Sequence, residues 1–307
     1  MYRPISLSTR SSSLNPTFIE HFIPANDGLM LYARDYGSDN PATANAPPVV
    51  CLAGLSRNSR DFHPLAVHLS SSTPVPRRVI AVDYRGRGLS ERDPDSSRYQ
   101  LAVEAADLVH LCAKLAIGKA DFIGTSRGGL VLHLLAASHP TLLNRVVLND
   151  IGPVIELAGL LHIRDYLANP KQFSTWGDVS SSLKAVHGPA FPALTQEDWD
   201  EMAHALYRQH GDHIVADYDP ALVDPLKALT MDTPVADIWP LFEGLKPFPL
   251  LVIRGKNSTI LSSETAQEMI NRHPNAALFS VTGQGHAPIL HVEGAREAIE
   301  GFLEMRG

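Results

Sequence analysis

Short apolar runs alternate with amphipathic stretches over the first half of the chain. Four of the apolar runs are rich in β-branched residues and bounded by turn-forming residues: 47–55, 77–84, 119–125 and 144–150. The stretch between the second and third runs places its apolar residues on one helix face: Leu101, Ala105, Leu108, Cys112 and Leu115. Strand and helix patterns in this alternation indicate an α/β fold with a mostly parallel sheet.

This alternation breaks after Pro153 and resumes with an apolar run at 248–255. Three further elements are predicted after that run: a helix near 263–272, a strand at 276–283 and a helix near 292–305. The intervening segment carries helical patterns, such as EDWDEMAHALYRQH at 197–210, and few strand-like runs. We interpret it as a helical insertion that lies over the sheet.

The pattern therefore predicts a core domain that is interrupted by a cap. We assign the chain as follows: core, 17–152 and 247–307; helical cap, 153–246; disordered N-terminal tail, 1–16. In the core, the alternating runs 17–23 and 29–36 flank PANDG and predict a hairpin at the sheet edge. The tail contains arginine and much serine but no acid, so a transit peptide to an organelle matrix is the alternative.

Composition narrows the class of protein. The chain has 307 residues, of which 44% are hydrophobic, and this is ample for a large globular core. No window approaches the roughly 18 uninterrupted apolar residues of a membrane span. A net charge of −7 without long basic runs argues against nucleic acid as a partner. Cys51 and Cys112 fall in apolar runs, as reduced core cysteines of a cytoplasmic protein do.

The negative charge is concentrated in the predicted cap. Between Ile151 and Lys246 there are 14 acidic against 6 basic residues, a net of −8, and all three tryptophans lie there. Because such a field repels anions, we expect a small substrate that is neutral or apolar in its acyl part. The residues predicted to contact this substrate are Arg57, Trp176, Trp199 and Trp239.

A candidate nucleophile lies between the third strand and the helix that follows it. Gly124, Ser126 and Gly128 form a G-x-S-x-G pattern directly after an apolar strand. Glycines there permit the tight strand-to-helix turn of a nucleophile elbow, which exposes the serine hydroxyl. The alternative is an ordinary turn that contains a serine.

A serine hydroxyl needs a base, and an acyl-transfer intermediate needs two backbone donors for its oxyanion. His286 is the best-placed histidine, because TGQGHAP follows the last strand at the same predicted sheet edge. His291 is a weaker candidate, and His133 lies on the helix after the elbow. The predicted oxyanion donors are the amides of Arg127, directly after the nucleophile, and Leu55, in the loop after the first parallel strand.

Together, GTSRGG, LAGL, DYRGRGLS at 83–90 and GQGHAP resemble the α/β-hydrolase superfamily in their order and spacing. The resemblance implies an eight-stranded, mostly parallel sheet with helices on both faces and a helical cap inserted after the sixth strand. The first loop departs from the family pattern, with Ala53 in place of the usual histidine. Asp83, in DYRGRGLS, is expected to be structural.

The catalytic acid of the predicted triad does not lie where the superfamily usually places it. In the superfamily's common arrangement it follows the strand that is here 248–255, where this chain has Ser258 and Thr259. A known variant places the acid after the preceding strand, and Asp150 occupies that position. We predict that Asp150 is the acid. The alternative is a turn residue before Gly-Pro.

These residues predict a serine hydrolase that cleaves an ester, thioester or lactone through an acyl-enzyme. Ser126 attacks, His286 transfers the proton and Asp150 orients the histidine, without a metal or organic cofactor. A carbon-carbon bond hydrolase with the same triad and a non-catalytic ligand receptor on the same fold are the alternatives. The expected partner is a small-molecule substrate, and the pattern leaves a monomer and a homodimer open.

Overall fold

The computed structural model describes residues 17–234, 236–292 and 294–305, so the predicted tail at 1–16 lies outside the described residues. The described strands are β1 Ile19–Pro24, β2 Met30–Tyr36, β3 Val49–Leu52, β4 Val79–Asp83, β5 Ala120–Thr125, β6 Leu143–Asn149, β7 Tyr207–His210, β8 His213–Ala216, β9 Leu250–Gly255 and β10 Ala276–Val281.

Helices connect most of these strands. The α-helices within the described ranges are α1 His63–Ser71, α2 Leu101–Lys114, α3 Arg127–Ser138, α4 Leu157–Leu167, α5 Trp176–His187, α6 Gln196–Leu206, α7 Asp224–Lys227, α8 Trp239–Glu243, α9 Ser263–Arg272 and α10 Ala295–Glu304. The helices predicted at 101–115 and 263–272 are confirmed to within a residue.

Eight strands form one sheet in the order β1-β2-β4-β3-β5-β6-β9-β10. β1 and β2 pair antiparallel at one edge, β2 pairs antiparallel with β4, and the remaining pairs are parallel. This arrangement confirms the predicted mostly parallel sheet and its edge hairpin. Because parallel strands end at the same edge, the loops after β3, β5, β6, β9 and β10 meet there.

Helices cover both faces of the sheet, as the pattern predicts. β3 and β4 are buried at every position, which is typical of a sheet packed on both sides. On one face, Val50 packs in a cluster with Leu108 of α2 and Leu132 of α3. On the other face, Cys51 packs with residues of α1 and α10.

The segment between β6 and β9, which we call the inserted segment, contains α4 to α8 and a hairpin of β7 and β8. The sequence pattern missed this hairpin, and the helix predicted through 210 ends at Leu206. Gly211, at a φ of 58°, begins the turn that lets His210 pair with His213. Strand pairing therefore overrides the helical pattern of the last four residues.

The inserted segment is attached to the sheet edge by backbone and ionic contacts. The Gly88 amide donates to the Asp217 carbonyl at 3.1 Å, and the Asp219 amide donates to the Gly86 carbonyl at 2.7 Å. The Asp217 carboxylate accepts a hydrogen bond from Arg60 Nη2 at 2.6 Å. Within the described ranges, no helix is both long enough and apolar enough to cross a membrane.

His133 of α3 is fully buried and makes the fold sensitive to acid. Its Nδ1–H donates to the Gly129 carbonyl at 2.7 Å, which fixes the neutral tautomer. Burial lowers the pKa of His133 from 6.5 to about 4. The unfolded chain therefore takes up a proton first, and stability is lost as the pH falls from 6.5 toward 4.

We expect the free energy of unfolding to fall by about 2 kcal/mol from this residue alone between pH 7.5 and pH 5. Urea unfolding at both pH values measures this loss, and His133→Leu should reduce it by that amount. His139→Leu, at the exposed C-terminal end of the same helix, is the control and should leave the loss unchanged. An equal loss in wild type and His133→Leu would contradict the assignment.

Candidate active site

Ser126 lies at a sharp turn between β5 and α3. Its φ of 50° and ψ of −113° belong to a backbone conformation that non-glycine residues rarely adopt. The two flanking glycines are required by close packing. A Cβ at Gly124 would lie 2.7 Å from the carbonyl carbon of Gly128, and one at Gly128 would lie 2.3 Å from the Leu52 carbonyl oxygen. The predicted elbow geometry is therefore present.

Three residues that are far apart in sequence form a hydrogen-bonded series at this edge of the sheet. Ser126 Oγ lies 2.9 Å from His286 Nε2, and His286 Nδ1 lies 2.8 Å from Asp150 Oδ2. Because a carboxylate only accepts, Nδ1 carries the proton and Nε2 presents its lone pair to the serine hydroxyl. This is the arrangement in which an imidazole can take the serine proton.

Asp150 is fully buried directly after β6. Its Oδ1 accepts a hydrogen bond from the Gly255 amide at 2.9 Å, and its Oδ2 accepts one from Ser258 Oγ at 2.5 Å in addition to His286. Ser258 Oγ itself accepts from the amides of Ile260 and Leu261 at 3.1 and 3.2 Å. Its own hydrogen is therefore directed to the carboxylate.

In the sequence, Ser258 marks only the place where the usual acid is missing, but in the structure its hydroxyl donates to the Asp150 carboxylate. Its position in the sequence could have predicted this role. Ser258 follows β9, where the usual acid would meet the histidine, so its hydroxyl lies close to a carboxylate that replaces that acid from the end of β6. Thr259 makes no such contact within the described residues. Glu264 is exposed in the first turn of α9 and accepts a hydrogen bond from Ser263.

The other histidines weighed from the sequence lie away from Ser126. His291 Nε2 is 3.2 Å from a carboxylate oxygen of Glu201 in α6. His133 is enclosed on the opposite side of α3, where its ring lies 6.1 Å from that of Phe242. His286 is thus the histidine that the fold brings to the serine.

The two predicted oxyanion donors belong to residues near Ser126. Arg127 is the first residue of α3, and Leu55 follows Gly54 in the loop after β3. Gly54 lies close to the serine, because a Cβ built on it would be 3.8 Å from the Ser126 Cβ. Within the described part of the chain, neither amide donates a hydrogen bond to another protein group. Both are available to a ligand oxygen.

A cavity of about 430 Å³ opens above Ser126 and His286, between the sheet edge and the inserted segment. Aliphatic side chains form much of its wall: Leu55, Ile163, Val186, Leu206, Ile289 and Leu290. The acidic and basic side chains that line it are equal in number: Arg57, Lys171, Asp61 and Asp165. Arg57 and Asp61 form an ion pair with each other. The cavity therefore carries no net charge from these residues.

The tryptophans predicted to bind substrate are not among the residues that line this cavity, which corrects that interpretation. Trp199 is buried against Phe191 in the inserted segment, and Trp176 stacks on His204 with ring centroids 4.0 Å apart. Trp239 packs beneath Arg272 at 4.0 Å. Trp199 thus fills the interior of the inserted segment, whereas Trp176 and Trp239 are partly buried against clusters away from the cavity.

Polar residues that the sequence analysis missed line the cavity instead: Tyr166, Tyr207, Tyr218 and His187. Burial lowers the pKa of His187 to about 4, and the positive charge of Arg57 acts in the same direction. Burial likewise raises the pKa of Tyr218 to about 12. These groups are therefore neutral hydrogen-bonding partners near pH 7. Within the described residues, no cluster of three or more metal-ligating side chains is present.

Comparisons with known proteins agree with this fold. A family model described as alpha/beta hydrolase fold matches residues 47–178. The 3-hydroxybutyrate-oligomer hydrolase of Cupriavidus necator is 32% identical over 94% of this chain and 97% of its own length. Esterase YbfF of Escherichia coli is 26% identical over 79% of this chain and 87% of its own length.

A solved structure of an α/β hydrolase from Novosphingobium aromaticivorans is 37% identical, with a TM-score of 0.85 over 94% of this chain and 98% of that one. The resemblance inferred from the sequence is confirmed. The chain belongs to the α/β-hydrolase superfamily and is a hydrolytic enzyme.

Proposed function

We propose that the chain is a serine hydrolase that cleaves ester bonds of small, largely uncharged substrates through an acyl-enzyme. The observation that supports this most strongly is the series of hydrogen bonds joining Ser126, His286 and Asp150. The proposed nucleophile lines a cavity, and the amides of Leu55 and Arg127 nearby donate to no protein acceptor within the described residues. The cytoplasmic location expected from the two cysteines, both buried and free, is part of this proposal.

In the proposed first step, Ser126 Oγ attacks the ester carbonyl carbon while His286 Nε2 takes the serine proton. Asp150 keeps Nδ1 protonated and stabilises the imidazolium. The amides of Leu55 and Arg127 hold the oxyanion of the tetrahedral intermediate. The imidazolium then gives its proton to the leaving alkoxide oxygen, so the alcohol departs and the acyl group stays on the serine.

The second step repeats the chemistry with water. His286 takes a proton from a water molecule as the water oxygen attacks the acyl carbon. The tetrahedral intermediate then collapses, the bond to Ser126 Oγ breaks, and His286 returns the proton to the serine. The carboxylic acid product leaves, and the enzyme regains its starting protonation state.

Within the ester class we favour short linear esters of hydroxy acids. The relative from Cupriavidus necator hydrolyses 3-hydroxybutyrate oligomers by its name, and it matches nearly the whole chain. Such oligomers carry further ester carbonyls beyond the one that is cleaved. The hydroxyls of Tyr166 and Tyr207, 3.5 Å apart in the cavity wall, could donate to a second carbonyl. Thioesters and lactones remain within the proposal.

We also propose that residues 153–246 form a cap that selects the substrate. The core loops supply Ser126, His286 and Leu55 to the cavity, whereas α4, α5 and the β7–β8 hairpin supply much of the opposite wall. A division of this kind separates the chemical step from recognition. Substitutions in the cap wall are therefore expected to change KM more than kcat.

The first prediction is covalent chemistry at Ser126. A fluorophosphonate should add one adduct to the protein, and mass mapping should place it on the peptide that contains Ser126, because the triad activates this hydroxyl alone. Ser126→Ala should abolish labelling. Adducts on another peptide, or labelling that survives this substitution, would rule out the proposed nucleophile. Steady-state assays with nitrophenyl butyrate and a β-diketone then separate ester from carbon-carbon bond cleavage.

The second prediction concerns the acid and its support. Asp150→Asn should lower kcat by at least about a hundredfold, because the amide cannot stabilise the imidazolium. Ser258→Ala should lower it by about tenfold, since the carboxylate stays but loses one of its three donors. Glu264→Gln is the control and should be nearly silent. A large loss from Glu264→Gln together with a small loss from Asp150→Asn would mean that the acid lies elsewhere.

The third prediction tests the tyrosine hydroxyls. Tyr207→Phe should raise KM for the linear trimer of 3-hydroxybutyrate, which has a second ester carbonyl, by about fivefold, the value of one lost hydrogen bond. KM for nitrophenyl butyrate, which lacks a second carbonyl, should change by less than about twofold. Tyr32→Phe, which removes a buried hydroxyl bonded to Glu20 in the edge hairpin, is the matched control. Equal effects on both substrates would refute a second-carbonyl subsite.

A further inference from the structure

We propose that Glu104 and Arg87 are positioning residues that hold the two halves of the oxyanion hole in register. This inference rests on the proposed function, because it assigns a role toward the amides of Leu55 and Arg127. Glu104 lies in the first turn of α2, and Arg87 lies in the loop after β4. Neither residue lines the cavity, so neither touches the substrate there.

The Leu55 half of the oxyanion hole is fixed through the Leu55 carbonyl. Arg87 Nε donates to the Leu55 carbonyl at 2.7 Å, and Arg87 Nη1 donates to Glu104 Oε1 at 2.7 Å and to the Arg85 carbonyl at 2.8 Å. The Arg87 side chain is fully buried. A rigid guanidinium with three bonded acceptors thus fixes the residue whose amide is the first proposed oxyanion donor.

The Arg127 half of the oxyanion hole is fixed through the Arg127 side chain. Arg127 Nε donates to Glu104 Oε2 at 2.7 Å, and Arg127 Nη2 donates to the Tyr99 carbonyl at 3.1 Å. Glu104 is fully buried. The two oxygens of one carboxylate therefore bind the arginines that fix the two donor-bearing residues. This single carboxylate connects the loop after β3 with the start of α3.

Such a connection matters because oxyanion stabilisation depends on donors that are already aimed before the reaction. Charge-assisted hydrogen bonds between buried groups are short and resist reorientation. The third nitrogen of Arg87, Nη2, has no partner within the described residues, so the bonds from Nε and Nη1 are the ones that fix this side chain.

The test uses two substitutions at position 104 in the full-length enzyme. Glu104→Asp keeps the charge but is too short to bind both arginines, and Glu104→Gln keeps the length but removes the charge. Each should lower kcat for nitrophenyl butyrate by at least about tenfold while KM changes by less than about threefold. Affinity for butylboronic acid, whose serine adduct is a tetrahedral anion, should fall by a factor similar to kcat/KM.

A matched control separates positioning from general destabilisation. Arg77 and Asp121 form another buried ion pair, 2.9 Å long, and Asp121 lies at the opposite end of the strand that leads to Ser126. Asp121→Asn therefore removes a comparable buried charge far from the hole. It should leave kcat of the folded enzyme within about twofold and boronate affinity unchanged. If Glu104→Gln does not fold, Arg87→Lys, which keeps the charge but loses the fork of donors, takes its place.

The outcomes are distinct. Unchanged kcat and boronate affinity in the position 104 variants would overturn the inference, as would an equal loss in Asp121→Asn. A wild-type enzyme that a fluorophosphonate fails to label at Ser126 would overturn the proposed function itself. If wild type is labelled and Glu104→Asp is labelled at the same rate, the hydrolase proposal stands and the positioning role falls.

Discussion

The geometry of the site depends on the need to satisfy one buried carboxylate. Asp150 is removed from water, and a charge in that position is strongly unfavourable unless donors surround it. Its three donors are the Gly255 amide, the Ser258 hydroxyl and His286 Nδ1. These donors follow two different strands, so satisfying Asp150 also brings the loops after β9 and β10 to the end of β6. The histidine is oriented toward Ser126 as a consequence.

A second buried carboxylate organises the loop on the other side of the nucleophile. Asp83, at the end of β4, accepts hydrogen bonds from the amides of Ser59 at 2.6 Å and Leu89 at 2.8 Å. Burial raises the pKa of Asp83, and the amide hydrogen bonds oppose that rise. The carboxylate thus holds the loop that carries Leu55 against the loop that carries Arg87. This contact supports the structural role expected from DYRGRGLS, and it supplies the frame on which Glu104 acts.

Recognition and chemistry are built from different kinds of contact. The core loops are held by buried charges and amides, which give the reacting groups little freedom. The inserted segment presents aliphatic side chains and neutral hydroxyls, and its two charged side chains at the cavity, Asp165 and Lys171, balance each other. The acidic excess of 151–246 is therefore carried mainly on surfaces away from the substrate cavity. A neutral ester fits both halves of this arrangement.

The sequence alone determined the sheet, the elbow and the identity of the three triad candidates. Strand and helix periodicity is a local property, and the ends of parallel strands must meet, so Ser126 and His286 could be placed at one edge without coordinates. The resemblance to the α/β-hydrolase superfamily then implied Asp150 as the acid. The β7–β8 hairpin, the support from Ser258 and the cavity tyrosines were decided only by tertiary structure. Each depends on which distant segments pack together, and no local pattern distinguishes a tryptophan that fills an interior from a tyrosine that faces a cavity.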